Sequence, residues 1–244
     1  MTRLGVVAPI DLHCIIHQQS LCSEVMRLES MMRVVVPTIN FICSHGLNHR
    51  QFQQFLSETE AEYGDVLYHT EVRWLSRGRV LRRFFELREE IVVFLRGKGK
   101  PLKELADHDW VWELALLADV SQHLNDLNVK LQGKGKLVSG MLADVRAFEM
   151  KLSLFQNQAR ESNFYHFPCC KLFAGETAVP LPTERLCEIL DELKSEFEVR
   201  FADFTKHSSD ICLFQNPFNA DLSQVQECYQ IELADLQTDN DLKS

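Results

Sequence analysis

A tryptophan beside a run of arginines is the first feature of this sequence that could do chemistry. Trp74 stands near the start of residues 73–100, which hold nine basic and three acidic residues. An aromatic ring flanked by guanidinium groups can stack on a nucleobase and hold its phosphates. The alternative is a core tryptophan that precedes a helix with solvated arginines, and spacing alone favours this alternative. The candidate nucleic-acid-binding residues are Trp74, Arg73, Arg77, Arg79, Arg82 and Arg83.

A cysteine and a histidine near the N-terminus are the second such feature. Cys14 and His17 are three residues apart, so a helix would place both on one face, where a thiolate and an imidazole could bind zinc. No matching second pair follows, and the eight cysteines include no C-x2-C pair. The alternative is a buried turn in which His17 bonds to neighbouring backbone. We therefore predict no metal site, no cofactor and reduced thiols.

The sequence shows no pattern that indicates catalysis. Gly97-Lys-Gly-Lys100 recurs as Gly133-Lys-Gly-Lys136, but neither copy has the outer glycine or the hydroxyl residue of a phosphate-binding loop. Both copies follow predicted helices and are predicted to be the loops that end them. No arrangement of serine or cysteine with histidine stands out from the background. We therefore expect neither an enzyme nor a small-molecule substrate.

Composition and charge limit the classes of protein to which this chain can belong. The chain has 244 residues, of which 45% are hydrophobic and 25% charged, as in globular domains. Its net charge of −9 is uneven, with +2 over residues 1–100 and −11 over residues 101–244. The sequence has no run of about 18 apolar residues, so we expect no membrane span. We expect an acidic chain with one local basic block to bind DNA weakly at most. We also expect it to bind protein partners.

The periodicity of the apolar residues predicts a mainly helical fold. Ten glycines and seven prolines are few for this length, which favours long helices. Residues 163–182 hold three prolines and are predicted to be a long loop, and Pro37 is expected to kink or split its helix. Only residues 10–14 and 68–72 look extended, which predicts one or two short strands. Apolar stripes at helical spacing run through residues 25–42, 52–56, 80–95, 110–131, 137–155, 186–204 and 225–236.

Two of these motifs, in this order, resemble the signatures of a known family. His13-Cys14-Ile15-Ile16-His17 resembles the C-x-x-H motif of hAT-type transposases. Val72-Arg73-Trp74-Leu75-Ser76 resembles their T-R-W-x-S motif. Residues 40–50, 68–78, 85–90 and 123–128 look like the domesticated vertebrate relatives of these transposases. The similarity covers nearly the whole chain.

The resemblance implies an RNase H-like fold that is interrupted by a large helical insertion. In that family two aspartates and one glutamate hold the divalent metals that activate the attacking oxygen. The two aspartates precede the C-x-x-H motif, where Asp11 matches neither, and the glutamate belongs to a segment that does not occur before Ser244. We therefore expect a partial RNase H-like core over residues 1–80, a helical insertion-type domain over residues 81–244, and no catalytic residues.

The resemblance also implies roles for the two motifs. The matching tryptophan of the family stacks on a base that is flipped out near the cut site, so Trp74 is expected to keep the potential to stack. Cys14 and His17 are expected to have an architectural role. The expected function is that of a non-catalytic, domesticated transposase-like protein or fragment, which acts in the nucleus as a DNA- or protein-interaction module. The alternatives are a purely protein-binding helical scaffold without DNA binding, and a cytoplasmic location.

Overall fold

The chain folds into α-helices throughout the residues that the structure describes. The computed structural model describes residues 14–44, 46–59, 61, 63–67, 74–133, 135–177, 179 and 181–239. In these ranges there are twelve α-helices and no strand, and no helix is both long and apolar enough to cross a membrane. Short 3-10 helices occur at Ser23–Met26, Glu104–Ala106, Pro217–Asn219 and Leu222–Gln224. The α-helices are α1 (Ile15–Cys22), α2 (Glu29–Ser44), α3 (Gly46–Glu58), α4 (Trp74–Glu86), α5 (Arg88–Gly97), α6 (His108–Leu131), α7 (Val138–Arg160), α8 (Pro168–Glu176), α9 (Glu184–Arg200), α10 (Ala202–Lys206), α11 (Ser208–Gln215) and α12 (Glu227–Thr238).

Helix α6 lies at the centre of the fold. Its side chains from Leu114 to Ser121 are all buried, so this stretch has no solvent-facing stripe. A helix that is buried on all sides must be surrounded by other elements, and α6 contacts α1, α4, α7 and α8. It begins at His108 because the carboxylate of Asp107 accepts a hydrogen bond of 3.0 Å from the backbone N–H of Asp109.

Amphipathic helices pack around α6 and against one another. Helix α7 packs against α9, α1 packs against α9, and α2 packs against α3. Phe148 of α7 and Phe197 of α9 have ring centroids 5.1 Å apart, and Phe52 of α3 lies 5.0 Å from Phe94 of α5. Buried apolar side chains from α1 through α10 form one continuous core. Burial of these faces, at about 25 cal/mol per Å² of apolar surface, supplies most of the stability of such a fold.

Helix α8 begins without a side-chain cap of its own and is capped by α6. Pro168 occupies its first position, where proline leaves no intrahelical bond unmade and its fixed φ suits the helix. The next two N–H groups, of Cys169 and Cys170, donate hydrogen bonds of 3.1 and 2.9 Å to the two carboxylate oxygens of Asp119. Asp119 is 2% exposed. Burial raises the pKa of this carboxyl, and the two hydrogen bonds oppose that rise.

Two further bonds join the segment around α8 to α6. Nε1 of Trp112 donates to the carbonyl of Pro182 at 2.8 Å, and Nε2 of His123 donates to the carbonyl of His166 at 2.8 Å. The His123 ring also lies 4.5 Å from the Phe155 ring, centroid to centroid, and burial lowers the pKa of His123. The segment is therefore fixed to α6 on both sides of α8.

The mainly helical prediction is confirmed, and one detail of it is wrong. The loop predicted at residues 163–182 contains α8, because Pro168 suits the first turn of a helix and Asp119 caps the N–H groups that follow. Pro37 does not split α2, which continues through it to Ser44, and the kink that was the other expectation stays a prediction. Pro37 is exposed, so the carbonyl of Arg33 that loses its intrahelical partner lies on the side of the helix that water can reach.

The predicted RNase H-like strands can be compared with the structure only in part. Residues 10–13 and 68–73 lie outside the described residues, and Cys14 precedes α1 without belonging to a strand. The described part of residues 1–80 is helical. The boundary predicted at residue 80 falls inside α4, and the hydrophobic core is continuous across it. Within the described ranges, this region is therefore helical and shares its core with the rest of the chain.

A glycine allows α4 and α6 to approach each other closely. A Cβ atom added at Gly78 of α4 would lie 2.7 Å from the Cβ of Ser121 in α6, closer than real Cβ atoms come. The Cβ of Ser121 is fixed to its backbone, so it cannot move aside without a shift of α6. Any larger residue at position 78 must therefore separate the two helices.

We predict that Gly78→Ala lowers the free energy of unfolding by about 1–2 kcal/mol, because overpacking outweighs the gain in helix propensity. Gly140→Ala in α7 is the matched control, since nothing lies within 4 Å of a Cβ added there. It should raise the free energy of unfolding by up to about 1 kcal/mol. Urea unfolding of both variants measures the difference, and equal stabilisation by the two would contradict the close approach of α4 and α6.

Candidate functional site

Helix α4 carries most of the arginines that are predicted to bind nucleic acid, and two of them bond within the fold. Nη1 of Arg83 donates to the carbonyl of Asp65 at 3.0 Å, and its guanidinium lies 3.6 Å from the centroid of the Tyr63 ring. Only 22% of the Arg83 side chain is exposed. Nε of Arg82 donates to the carboxylate of Glu86 at 2.8 Å, and this bond raises the pKa of Arg82. Arg83 therefore ties α4 to the preceding segment, and Glu86 neutralises Arg82.

A third arginine of the basic block, Arg88, also bonds within the fold, and it is buried. The guanidinium of Arg88, at the start of α5, forms an ion pair with the carboxylate of Glu176 at the end of α8. The same guanidinium lies 4.4 Å from the centroid of the Phe85 ring and donates to the Phe85 carbonyl. This arginine joins two helices, so its charge is not available to a phosphate.

One of the arginines that are predicted to bind nucleic acid, Arg77, lines a cleft between α2 and α4. The cleft has a volume of about 790 Å³, and Arg77 lines it together with Arg27 and Arg33. Glu24 and Glu29 line the same cleft and offset part of this positive charge. The arrangement can attract an anionic group, with a weak net field.

The aromatic part of the predicted nucleic-acid site falls outside the residues that the structure describes. Helix α4 begins at Trp74, but the side chain of Trp74 and the whole of Arg73 are not among those residues. Arg79 is exposed on the same helix. The stacking role of Trp74 therefore stays a prediction.

The C-x-x-H motif lies at the surface. Cys14 precedes the first residue of α1 and makes no side-chain capping bond, and both Cys14 and His17 are exposed. The buried turn that is the alternative for His17 is therefore wrong, because the imidazole faces solvent. An architectural role for the pair stays a prediction.

Four cysteines of the described ranges are buried in the core and are held as thiols. Burial raises the pKa of Cys22 to about 12 and that of Cys43 to about 11. The pKa values of Cys169 and Cys170 are also raised, because both are buried and lie beside Asp119. A cysteine must ionise before it can act as a nucleophile. Burial therefore disfavours the ionised form of these four thiols.

One group of potential metal ligands comes together that the sequence reasoning missed. The ligand atoms of Cys43, His49 and Asp65 all lie within 4.8 Å of one another. Nε2 of His49 is 2.6 Å from Oδ2 of Asp65, and Nε2 of Gln53 donates to the same oxygen at 2.9 Å. The sequence signal is weak because Asp65 lies in an irregular segment 16 residues after His49. Only the short spacing between Cys43 and His49 could have drawn attention to it.

Large apolar side chains are exposed in the last helices. Phe214 of α11 is 89% exposed, and Ile231 of α12 is 75% exposed. Both helices pack against the 3-10 helix Pro217–Asn219, so the two side chains belong to neighbouring elements. Large apolar side chains that are exposed on neighbouring elements are candidates for a surface that binds another protein.

Comparison with known proteins places these features in a family. Residues 13–160 match the family described as the FAM200/GTF2IRD2 helical domain. The chain is 43% identical over 231 residues to general transcription factor II-I repeat domain-containing protein 2 of Bos taurus, and 41% identical over 234 residues to that of Mus musculus. These alignments cover 95% and 96% of the chain but only 24% and 25% of the two relatives, so the chain spans about a quarter of their length. No solved structure matches the chain.

Proposed function

The chain belongs to the FAM200/GTF2IRD2 helical-domain family, and from this membership and the geometry above we propose that it is a non-catalytic helical module that binds another protein. We further propose that it derives from an hAT-type transposase, on the two motifs that resemble those enzymes. A nuclear location is supported by the names of the relatives, which refer to a general transcription factor.

The observation that carries this proposal is the pair of exposed apolar side chains in the acidic part of the chain. Phe214 and Ile231 leave most of their surface in water, at 89% and 75% exposure. The residues from 101 onward have a net charge of −11. A partner segment that combines basic and apolar side chains would cover the apolar pair and meet a complementary field.

The absence of catalysis is supported by what the buried polar groups do. The buried Asp119 caps α8, and the buried Arg88 pairs with the partly exposed Glu176. The buried thiols resist ionisation because burial raises their pKa values. Each of these groups has a structural role, whereas a catalytic acid, base or nucleophile would face a substrate cleft.

We predict that the double variant Phe214→Ser with Ile231→Ser binds its partner at least tenfold more weakly than the original chain. Partners are captured from nuclear extract, identified by mass spectrometry, and then titrated as purified proteins. Val129→Ser in α6 is the matched control, because Val129 is 66% exposed but lies outside the C-terminal helices. All three sites are exposed, so the free energy of unfolding should change by no more than about 0.5 kcal/mol. Equal affinity of the double variant and the original chain would overturn the proposal.

A second candidate function is weak DNA binding, which the arginine-lined cleft favours. Arg27, Arg33 and Arg77 lie at one cleft beside the start of α4, where the chain resembles the base-stacking motif of the transposases. The net charge of −9 repels phosphates at long range. Any affinity must therefore come from local contacts and should fall steeply with salt.

We predict that Arg27→Glu with Arg33→Glu reduces the salt dependence of single-stranded DNA binding, by about 0.7 log unit per log unit of salt for each phosphate that the variant no longer neutralises. Trp74→Ala should instead weaken binding by roughly 1–3 kcal/mol per stacked base and leave the slope unchanged. The matched control is Arg146→Glu with Lys151→Glu in α7. Both residues are exposed, and this variant changes the net charge by the same amount as Arg27→Glu with Arg33→Glu. Fluorescence anisotropy at several salt concentrations gives the slopes. An equal effect of the two double variants, or no binding by the original chain at low salt, would remove this candidate.

A further inference from the structure

Three side chains from separate parts of the chain converge beside α3. Cys43 lies near the end of α2, His49 lies in the first turn of α3, and Asp65 lies in the irregular segment before α4. One ligand atom from each lies within 4.8 Å of the other two. We propose that Cys43, His49 and Asp65 form a binding site for a divalent transition-metal ion, with Zn²⁺ preferred.

The donor set indicates the class of ion. A thiolate, an imidazole and a carboxylate are the three ligand types that zinc takes in proteins, whereas Ca²⁺ and Mg²⁺ prefer oxygen alone. The thiolate and the carboxylate together would balance the double charge of the ion, which suits a half-buried position. Three protein ligands leave the fourth tetrahedral position to water or to a further donor.

Separate hydrogen bonds hold the carboxylate of Asp65 in place. Its Oδ1 accepts from the backbone N–H of Val66 at 2.8 Å, and its Oδ2 accepts from Nε2 of Gln53 at 2.9 Å. Its backbone carbonyl accepts from Arg83 at 3.0 Å. Outer bonds of this kind orient metal ligands and are typical of functional metal sites.

The close approach of His49 and Asp65 marks the place that the ion would take. Nε2 of His49 and Oδ2 of Asp65 are 2.6 Å apart, with a proton between them. In a tetrahedral zinc site two such ligand atoms are about 3.4 Å apart, since each lies about 2.0–2.2 Å from the metal. Binding therefore needs the two groups to separate by less than about 1 Å. The imidazole proton must lie on Nδ1 of His49 when Nε2 binds the metal, and binding releases the proton of the Cys43 thiol.

A cysteine, a histidine and an aspartate could also be the residues of a cysteine hydrolase, and burial argues against this. Cys43 is 6% exposed, so a substrate carbonyl cannot reach its sulfur. The side chains of His49 and Asp65 are 27% and 32% exposed, which leaves a bare ion a route from solvent. The structural result of binding would be a link between α2, α3 and the segment 63–67. This inference is independent of the proposed protein-binding function.

The experiment is a titration of the chelator-treated chain with Co²⁺ and then with Zn²⁺. We expect one Co²⁺ per chain, with a near-ultraviolet thiolate-to-cobalt charge-transfer band that Zn²⁺ abolishes by displacement. Cys43→Ser should remove that band. His49→Gln and Asp65→Asn should each weaken Zn²⁺ binding at least tenfold and remove the increase in Tm that Zn²⁺ gives the original chain.

The matched control is Cys14→Ser with His17→Gln, which removes the cysteine–histidine pair of the C-x-x-H motif. This control should bind one Co²⁺ with an unchanged spectrum. His49→Gln decides the question if Cys43→Ser fails to fold, because His49 is partly exposed and its replacement leaves the core intact. The proposal is overturned if no charge-transfer band appears at stoichiometric Co²⁺, or if His49→Gln binds as the original chain does. It is also overturned if the Cys14 and His17 variant alone loses the ion.

Discussion

The buried carboxylate of Asp119 is the interaction on which the centre of the fold depends. It belongs to α6, the most buried helix of the described ranges, and accepts the N–H groups of Cys169 and Cys170 at the start of α8. A buried charge destabilises a protein unless hydrogen bonds surround it, and the N-terminus of a helix offers both N–H donors and a positive partial charge. Apolar packing alone would permit α8 to slide or rotate on α6. The two bonds to Asp119 select one position for it.

Other charged side chains also form hydrogen bonds and ion pairs within the fold, and this explains how charge is distributed over the structure. Arg88 and Glu176 join α5 to α8, and Arg83 joins α4 to Tyr63 and Asp65. A basic run that resembles a phosphate-binding face in the sequence therefore contributes part of its charge to the fold. Three arginines, Arg27, Arg33 and Arg77, line one cleft between α2 and α4, while the acidic end of the chain exposes apolar side chains. This distribution is the reason that protein binding is the leading proposal and DNA binding the second.

The helices are predictable from the sequence where their signals are local. Apolar spacing alone indicates α6, α7 and α9, because each must turn one stripe or more toward the core. Helix α8 is missed because its cap, Asp119, lies 50 residues before Cys169. The hydrogen bond of Arg83 and the convergence of Cys43, His49 and Asp65 are missed for the same reason. Each depends on chain segments that meet only after the helices have packed, and no spacing rule reports such a meeting.

The most direct measurement of the central claim is the free energy of unfolding of Asp119→Ala, obtained by urea titration beside Asp126→Ala. Both residues lie on α6, but Asp126 is exposed and accepts from Gln122, a neighbour on the same helix. We predict that Asp119→Ala loses about 2–6 kcal/mol, because two buried N–H groups are left without an acceptor at about 1–3 kcal/mol each. Asp126→Ala should lose no more than about 0.5 kcal/mol. Equal and small losses from the two substitutions would contradict the role of Asp119 in fixing α8 to α6.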